Sequence, residues 1–137
     1  LHPERTIWCW RVEATNTGTT PLACDATLVQ DLGLGGRGFV MSNEAYASQY
    51  LDHHVAHHPS LGPVVMSRQN LAQAGAHPWI AHGCLDGAAG FATDAMPLLG
   101  PAYRDHGHID SGADLPGAVL QHEVACTILR TGCETVL

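Results

Sequence analysis

The run Arg5-Thr6-Ile7-Trp8-Cys9-Trp10-Arg11-Val12-Glu13-Ala14, read together with the stretch from Cys24 to Leu32, decides how the chain folds on paper. Trp8, Trp10, Val12 and Ala14 share one parity, while Cys9, Arg11 and Glu13 share the other. Period-two alternation of apolar and polar residues marks a strand with one buried face. The intervening Asn16-Thr17-Gly18-Thr19-Thr20-Pro21 is rich in turn-forming residues, so the two runs are expected to pair as a hairpin.

Working outward, the residues from Asn43 to Val55 fit an amphipathic strand, with a helix as the competing reading. Gly62-Pro63 marks a turn before a strand at Val64 to Arg68, and His77-Pro78 precedes strand-like Trp79 to Cys84. Further strands are expected at Ala88 to Thr93 and at Leu120 to Leu129. Asp94 is placed to cap a short helix that ends at Gly100-Pro101, and Arg104 to Gly117 reads as an exposed loop. Short strands separated by Gly and Pro, with at most one short helix, predict a mainly all-β fold, an antiparallel sandwich formed as one domain over residues 1–137.

The composition narrows the function. The 137 residues include 13 acids against 6 arginines and no lysine, for a formal charge of -7. Such a surface repels a phosphate backbone, which disfavours nucleic acid and anionic membranes as partners. No apolar run approaches the roughly 20 residues that cross a bilayer. Five cysteines, with no CxxC pair, are expected to be free thiols in a soluble protein of the reducing cytoplasm. Leu1 stands where a Met would begin a chain, and strand-like sequence runs to both ends. The expectation is therefore a fragment of a longer polypeptide.

Two motifs invite specific chemistry. His53-His54-Val55-Ala56-His57-His58 would set pairs of imidazoles one turn apart on a helix, the spacing that holds a metal. The segment reads better as a strand, which turns His53 and His54 to opposite faces, so no metal ligands are assigned. Gly33-Leu34-Gly35-Gly36-Arg37-Gly38 satisfies G-x-G-x-x-G, with Asp52 downstream. The preceding strand carries Gln30 and Asp31 where a parallel core strand should be apolar, and no helix start follows, so the segment reads as a loop joining strands. Signatures of acyl transfer, nucleotide hydrolysis and zinc proteolysis are absent, no catalytic residue is assigned, and no cofactor is called for.

What remains is a polar and aromatic set: Asn43, Glu44, Tyr46, Gln49, Tyr50, Arg68, Gln69, Asn70 and Trp79. Flat rings stack on the apolar faces of sugars, and planar amides and charged forks bond their hydroxyls. Asn43, Glu44, Tyr46, Gln49, Arg68, Gln69, Asn70 and Trp79 are the candidate carbohydrate-binding residues. For Tyr46 and Tyr50, cross-strand pairing within a sheet is the competing reading.

The runs Trp10 to Thr17, Leu28 to Gly33, Asn43-Glu44-Ala45-Tyr46 with Ser48-Gln49-Tyr50, Ser67-Arg68-Gln69-Asn70 and Gly90-Phe91-Ala92-Thr93-Asp94 together resemble the β-sandwich domain of glycoside hydrolase family 94, formerly glycosyltransferase family 36. The similarity looks nearest to the branch of the 1,2-β-oligoglucan phosphorylases and cyclic β-1,2-glucan synthases. It implies a sandwich of the large supersandwich type, belonging to a parent enzyme that uses a β-glucan oligosaccharide and inorganic phosphate. In such enzymes phosphate attacks the anomeric carbon with inversion, while a carboxylic acid protonates the departing oxygen. The resemblance places those groups on an (α/α) barrel outside this chain, which leaves the sandwich to support a homodimer and the active-site entrance. The 33–38 and 104–117 segments are then the candidate entrance loops. Two other classes stay open: a free-standing sugar-binding sandwich, and a histidine-rich metal-binding protein.

Overall fold

A computed structural model describes residues 4–42, 44–96, 98–99, 105–107, 114–120 and 125–135. Its elements are β1 (Leu22–Asp31), α1 (Arg37–Ser42), α2 (Glu44–Gln49), β2 (Leu51–His58), β3 (Gly62–Gln69), β4 (Trp79–His82), β5 (Gly90–Asp94) and β6 (Ala125–Thr135). They form two antiparallel three-stranded sheets, ordered β1-β6-β5 and β2-β3-β4. The fold is an all-β sandwich, with α1 and α2 as short helices before β2.

The expected N-terminal hairpin does not form. Residues 7–15 lie in no strand, and β1 pairs instead with β6, running from Leu22 opposite Thr135 to Asp31 opposite Cys126. The Asn16 turn is present, its Oδ1 accepting from the Gly18 N–H at 2.9 Å and its Nδ2 donating to the Thr20 carbonyl at 2.8 Å. β1 is the edge strand of its sheet, and the turn alone does not bring residues 7–15 into pairing with it. Arg130 of β6 reinforces the β1-β6 pairing, with Nε 2.9 Å from Thr27 Oγ1 and 3.3 Å from Asp25 Oδ2.

Helix and strand share the segment read from Asn43 to Val55: α2 ends at Gln49 and β2 starts at Leu51. The glycine-rich segment leads into α1, a helix start that the sequence did not suggest, but the strand before it is antiparallel and no βαβ unit results. The short helix expected before Gly100-Pro101 is present at the described residues 96, 98 and 99, but it starts from Ala95 rather than an Asp94 cap, with the Ala95 carbonyl accepting from Leu98 and Leu99. Asp94 itself is buried at the end of its strand.

The core follows the parity of the strands. Val65, Ala88, Phe91 and Leu129 pack together with Val55 and Cys84 between the two sheets. The next residues along β5 and β6 face the other way, and there Ala92, Cys126 and Ile128 pack with Ala95 and Leu98 of the following turn. Burial pushes the Cys126 thiol up to about 12, with nearby Asp94 and Asp31 adding to the effect, so this thiol is an inert apolar filler. Cys9, Cys84 and Cys126 are free, and Cys9 is exposed rather than packed.

Polar pairs also cross this interior. His53 Nδ1 meets Ser67 Oγ at 2.8 Å, and His82 Nδ1 meets Thr127 Oγ1 at 2.8 Å, the latter tying β4 to β6 of the opposite sheet. Burial lowers the pKa of both imidazoles, only partly opposed at His53 by the neighbouring Asp52. Both histidines bind protons more weakly folded than unfolded, so their contribution to stability is whole above the unfolded value near 6.5 and is lost as pH falls through the lowered folded values. The melting temperature is therefore expected to decline as pH falls below about 6.5. A thermal melt series should show this slope flattened in the His53→Gln, His82→Gln double variant.

Candidate functional site

Sheet β2-β3-β4 has one face in the core and one in solvent. Leu51, Val65, Ser67 and Gln69 point inward, whereas Asp52, His54, Arg68, Trp79 and Ala81 are exposed. Strand register sets the outer residues in rows. Asp52 lies opposite Arg68, which lies opposite Trp79; the next row is His54, Met66 and Ala81. Asp52, His54, Met66, Arg68 and Trp79 line a shallow, open depression of about 440 Å³, with His53 and Ser67 at its floor.

The edges of this surface are fixed by local bonds. Gln69 N–H donates to the Pro78 carbonyl at 2.9 Å, and His77 Nδ1 lies 3.1 Å from the Gln69 carbonyl oxygen, which together set the start of β4 and the position of Trp79. Asn70 N–H donates to the Tyr50 carbonyl, and its side-chain amide donates to Asp52 Oδ2. From Asn70 the surface continues to Tyr50 and Tyr46, whose rings lie 4.8 Å apart at 57° and whose hydroxyls are 3.2 Å apart. Hydrogen bonding to Tyr50 holds the Tyr46 hydroxyl above its ordinary pKa.

Several residues chosen from sequence thus come together. Arg68, Asn70 and Trp79 share the outer face, and Tyr46 stands on α2, linked to them through Tyr50. The tyrosines are helix-to-strand neighbours four residues apart rather than a cross-strand pair. Gln49 is exposed at the end of α2. Asn43 and the Glu44 side chain lie outside the described residues. Gln69 faces the core, 1% exposed, where its Nε2 donates to the Ala47 carbonyl at 3.0 Å and its Oε1 accepts from Leu71 N–H at 2.9 Å. The sequence reading missed Asp52, His54 and Met66. Their signal was parity: Asp52 and His54 alternate with Leu51 and His53, and Met66 alternates with Val65 and Ser67.

The surface presents one indole that is 69% exposed, a carboxylate, a guanidinium and an imidazole around an open floor. It can take the apolar face of a ring on Trp79 and hydrogen-bond its hydroxyls. The hydroxyl–imidazole pair at its floor, Ser67 and His53 2.8 Å apart, is turned inward, with Ser67 1% exposed, and presents no open nucleophile to a ligand. The histidine run occupies β2, so its side chains alternate between faces; His58 Nδ1 accepts from the Ser60 and Leu61 N–H groups and fixes the following turn. Among the described residues, no three His, Cys, Asp or Glu side chains gather as a metal site. Of the two candidate entrance loops, most of residues 104–117 lies outside the described residues, while 33–38 packs on Gln73, whose Oε1 accepts from Gly36 N–H at 3.3 Å.

Comparison with known proteins places this geometry. The family model of the SOGP N-terminal domain matches residues 1–136. The chain belongs to the SOGP N-terminal domain family. A 1,2-β-oligoglucan phosphorylase of Listeria innocua serovar 6a is 36% identical to this SOGP N-terminal domain over 124 residues, covering 89% of the chain and 11% of the relative. The chain thus spans about a tenth of the length of the curated relative it matches. Among the described residues of the SOGP N-terminal domain, no helix is long and apolar enough to cross a membrane.

Proposed function

We propose that this chain is the non-catalytic N-terminal sandwich of a larger, soluble cytoplasmic glycoside phosphorylase of the glycoside hydrolase family 94 type. The observation that carries this reading is the 36% identity, spread over 89% of the chain, to a 1,2-β-oligoglucan phosphorylase about eight times its length. In the parent, a β-glucan oligosaccharide and inorganic phosphate are the substrates. Phosphate attacks the anomeric carbon as a carboxylic acid protonates the leaving oxygen, with both groups on an (α/α) barrel elsewhere in the polypeptide. The sandwich contributes to a homodimer and to the entrance of that barrel. Its own part in recognition is the outer face of β2-β3-β4, where Trp79, Arg68, Asn70 and Asp52 hold a glucan chain.

Titration of the 137-residue chain with β-1,2-linked gluco-oligosaccharides, followed by amide and indole chemical shifts, tests both levels of this reading. Saturable shifts centred on Trp79, with no sugar phosphate formed when phosphate is added, are expected. Trp79→Ala should weaken the affinity about tenfold, the upper range for one aromatic stacking contact. Turnover by the isolated chain overturns the non-catalytic role, and the absence of any shift at millimolar sugar removes the platform.

A further inference from the structure

The N-terminal run that reads as a strand pairs with no strand among the described residues. Arg11 and Glu13, two residues apart, form an exposed ion pair. The opposite parity carries Trp8, Trp10 and Val12, which are 46%, 68% and 80% exposed. Among the described residues, the backbone of 8–15 enters neither sheet, and no bond between it and another segment is seen. Two bare tryptophans beside an unpaired backbone amount to a strand awaiting a sheet.

The sheet next to it is also incomplete. Along β6, residues from Cys126 to Arg130 are flanked by both β1 and β5, but Thr131 to Thr135 pair, among the described residues, with β1 alone. The corresponding half of β1, Leu22 to Thr27, is mostly exposed, with Leu22 57% open. A two-stranded ribbon of this kind is marginal in water without a third strand or a covering layer. Register puts Thr135, two residues before the end of the sequence, opposite Leu22. Polypeptide continuing past residue 137 would leave at the tip of this ribbon, beside the strand that follows the 8–15 run. The family is that of an N-terminal domain, and the matched region is 11% of the relative.

We infer that the Trp8-Trp10-Val12 face and the β1-β6 ribbon are a docking surface for the polypeptide that follows this domain in the full-length protein, which adds a strand to residues 8–14 and covers the two indoles. This rests on the reading of the chain as the N-terminal part of a longer phosphorylase. Backbone pairing supplies the affinity in such strand addition, and the alternate side chains supply the fit. The interdomain contact is thus built by completing a sheet.

Trypsin tests this, because Arg11 lies inside the run and a protease needs an extended, unpaired segment. The full-length protein and the 137-residue chain are digested side by side, and cleavage after Arg11 is followed by mass spectrometry. Cleavage should be fast in the isolated chain and about a hundredfold slower in the full-length protein, as expected when cutting requires local opening of a paired strand. Trp10→Glu in the full-length protein should restore fast cleavage, while leaving the melting temperature of the isolated chain unchanged because Trp10 is open there. Equal rates in the two proteins overturn the inference and leave the phosphorylase reading standing. Protection of the isolated chain that grows with its concentration also overturns it, assigning the face to a second copy. A reading frame that ends at Leu137 overturns both.

Discussion

Gly62→Ala is expected to destabilise the domain by about 3 kcal/mol or more, combining left-handed backbone strain with a steric clash that cannot relax cheaply. Gly62 opens β3 with φ at +69°, and a Cβ there would sit 2.2 Å from the Ala88 carbonyl oxygen. That oxygen belongs to backbone held in place from both sides: Ala88 N–H donates to the Leu61 carbonyl at 2.9 Å, and Ala89 N–H donates to the Arg130 carbonyl at 2.7 Å. Moving Ala88 away therefore disturbs the point where the β2-β3 turn meets the start of β5, and with it the seam between the two sheets. Urea unfolding of the variant should show a lower midpoint at unchanged slope. A loss under 1 kcal/mol would mean that this seam deforms freely. Gly38 is the control, since it lies in α1 with open space where a Cβ would go. Gly38→Ala should be neutral or stabilising by up to about 1 kcal/mol.

The same seam shows what the sequence made legible and what it did not. Strands β1, β3, β4, β5 and the described part of β6 were marked by alternation and by the Gly and Pro residues that separate them. Alternation reports that a segment can be extended and two-faced, as the sequence of residues 7–14 is, yet those residues lie in no strand. It does not report the partner, because pairing is decided by tertiary contacts between segments far apart in the chain, as between β1 and β6. α1 and α2 escaped for a related reason. Six-residue helices have too few turns for a 3.6-residue period to show, and helix formation here depends on tertiary support such as the bond from Gln69 to the Ala47 carbonyl. The candidate site was legible by residue type but not by face. Arg68 and Gln69 are neighbours in sequence, equally polar and equally suited to a sugar, yet the pleat sends one to solvent and the other to the core.

That division yields a second large effect. Gln69→Leu is expected to cost about 2–4 kcal/mol, because two backbone groups, the Ala47 carbonyl and the Leu71 N–H, lose the partners that the amide provides. The side chain is 1% exposed, so leucine fills the volume without supplying either bond. Release of α2 from β3 follows, and amide exchange should quicken first in residues 44–50. Glucan affinity of the folded fraction should stay within twofold of the parent chain, since Gln69 does not reach the outer face. Trp79→Ala should give the reverse pattern, with a stability change under about 0.5 kcal/mol for an exposed side chain and the loss of sugar binding. The pair of variants separates the two roles that adjacent strand positions carry. If Gln69→Leu abolished binding in a domain that remained folded at its original midpoint, the amide would have to turn outward to meet the ligand, and the inner face of β3 would belong to the site.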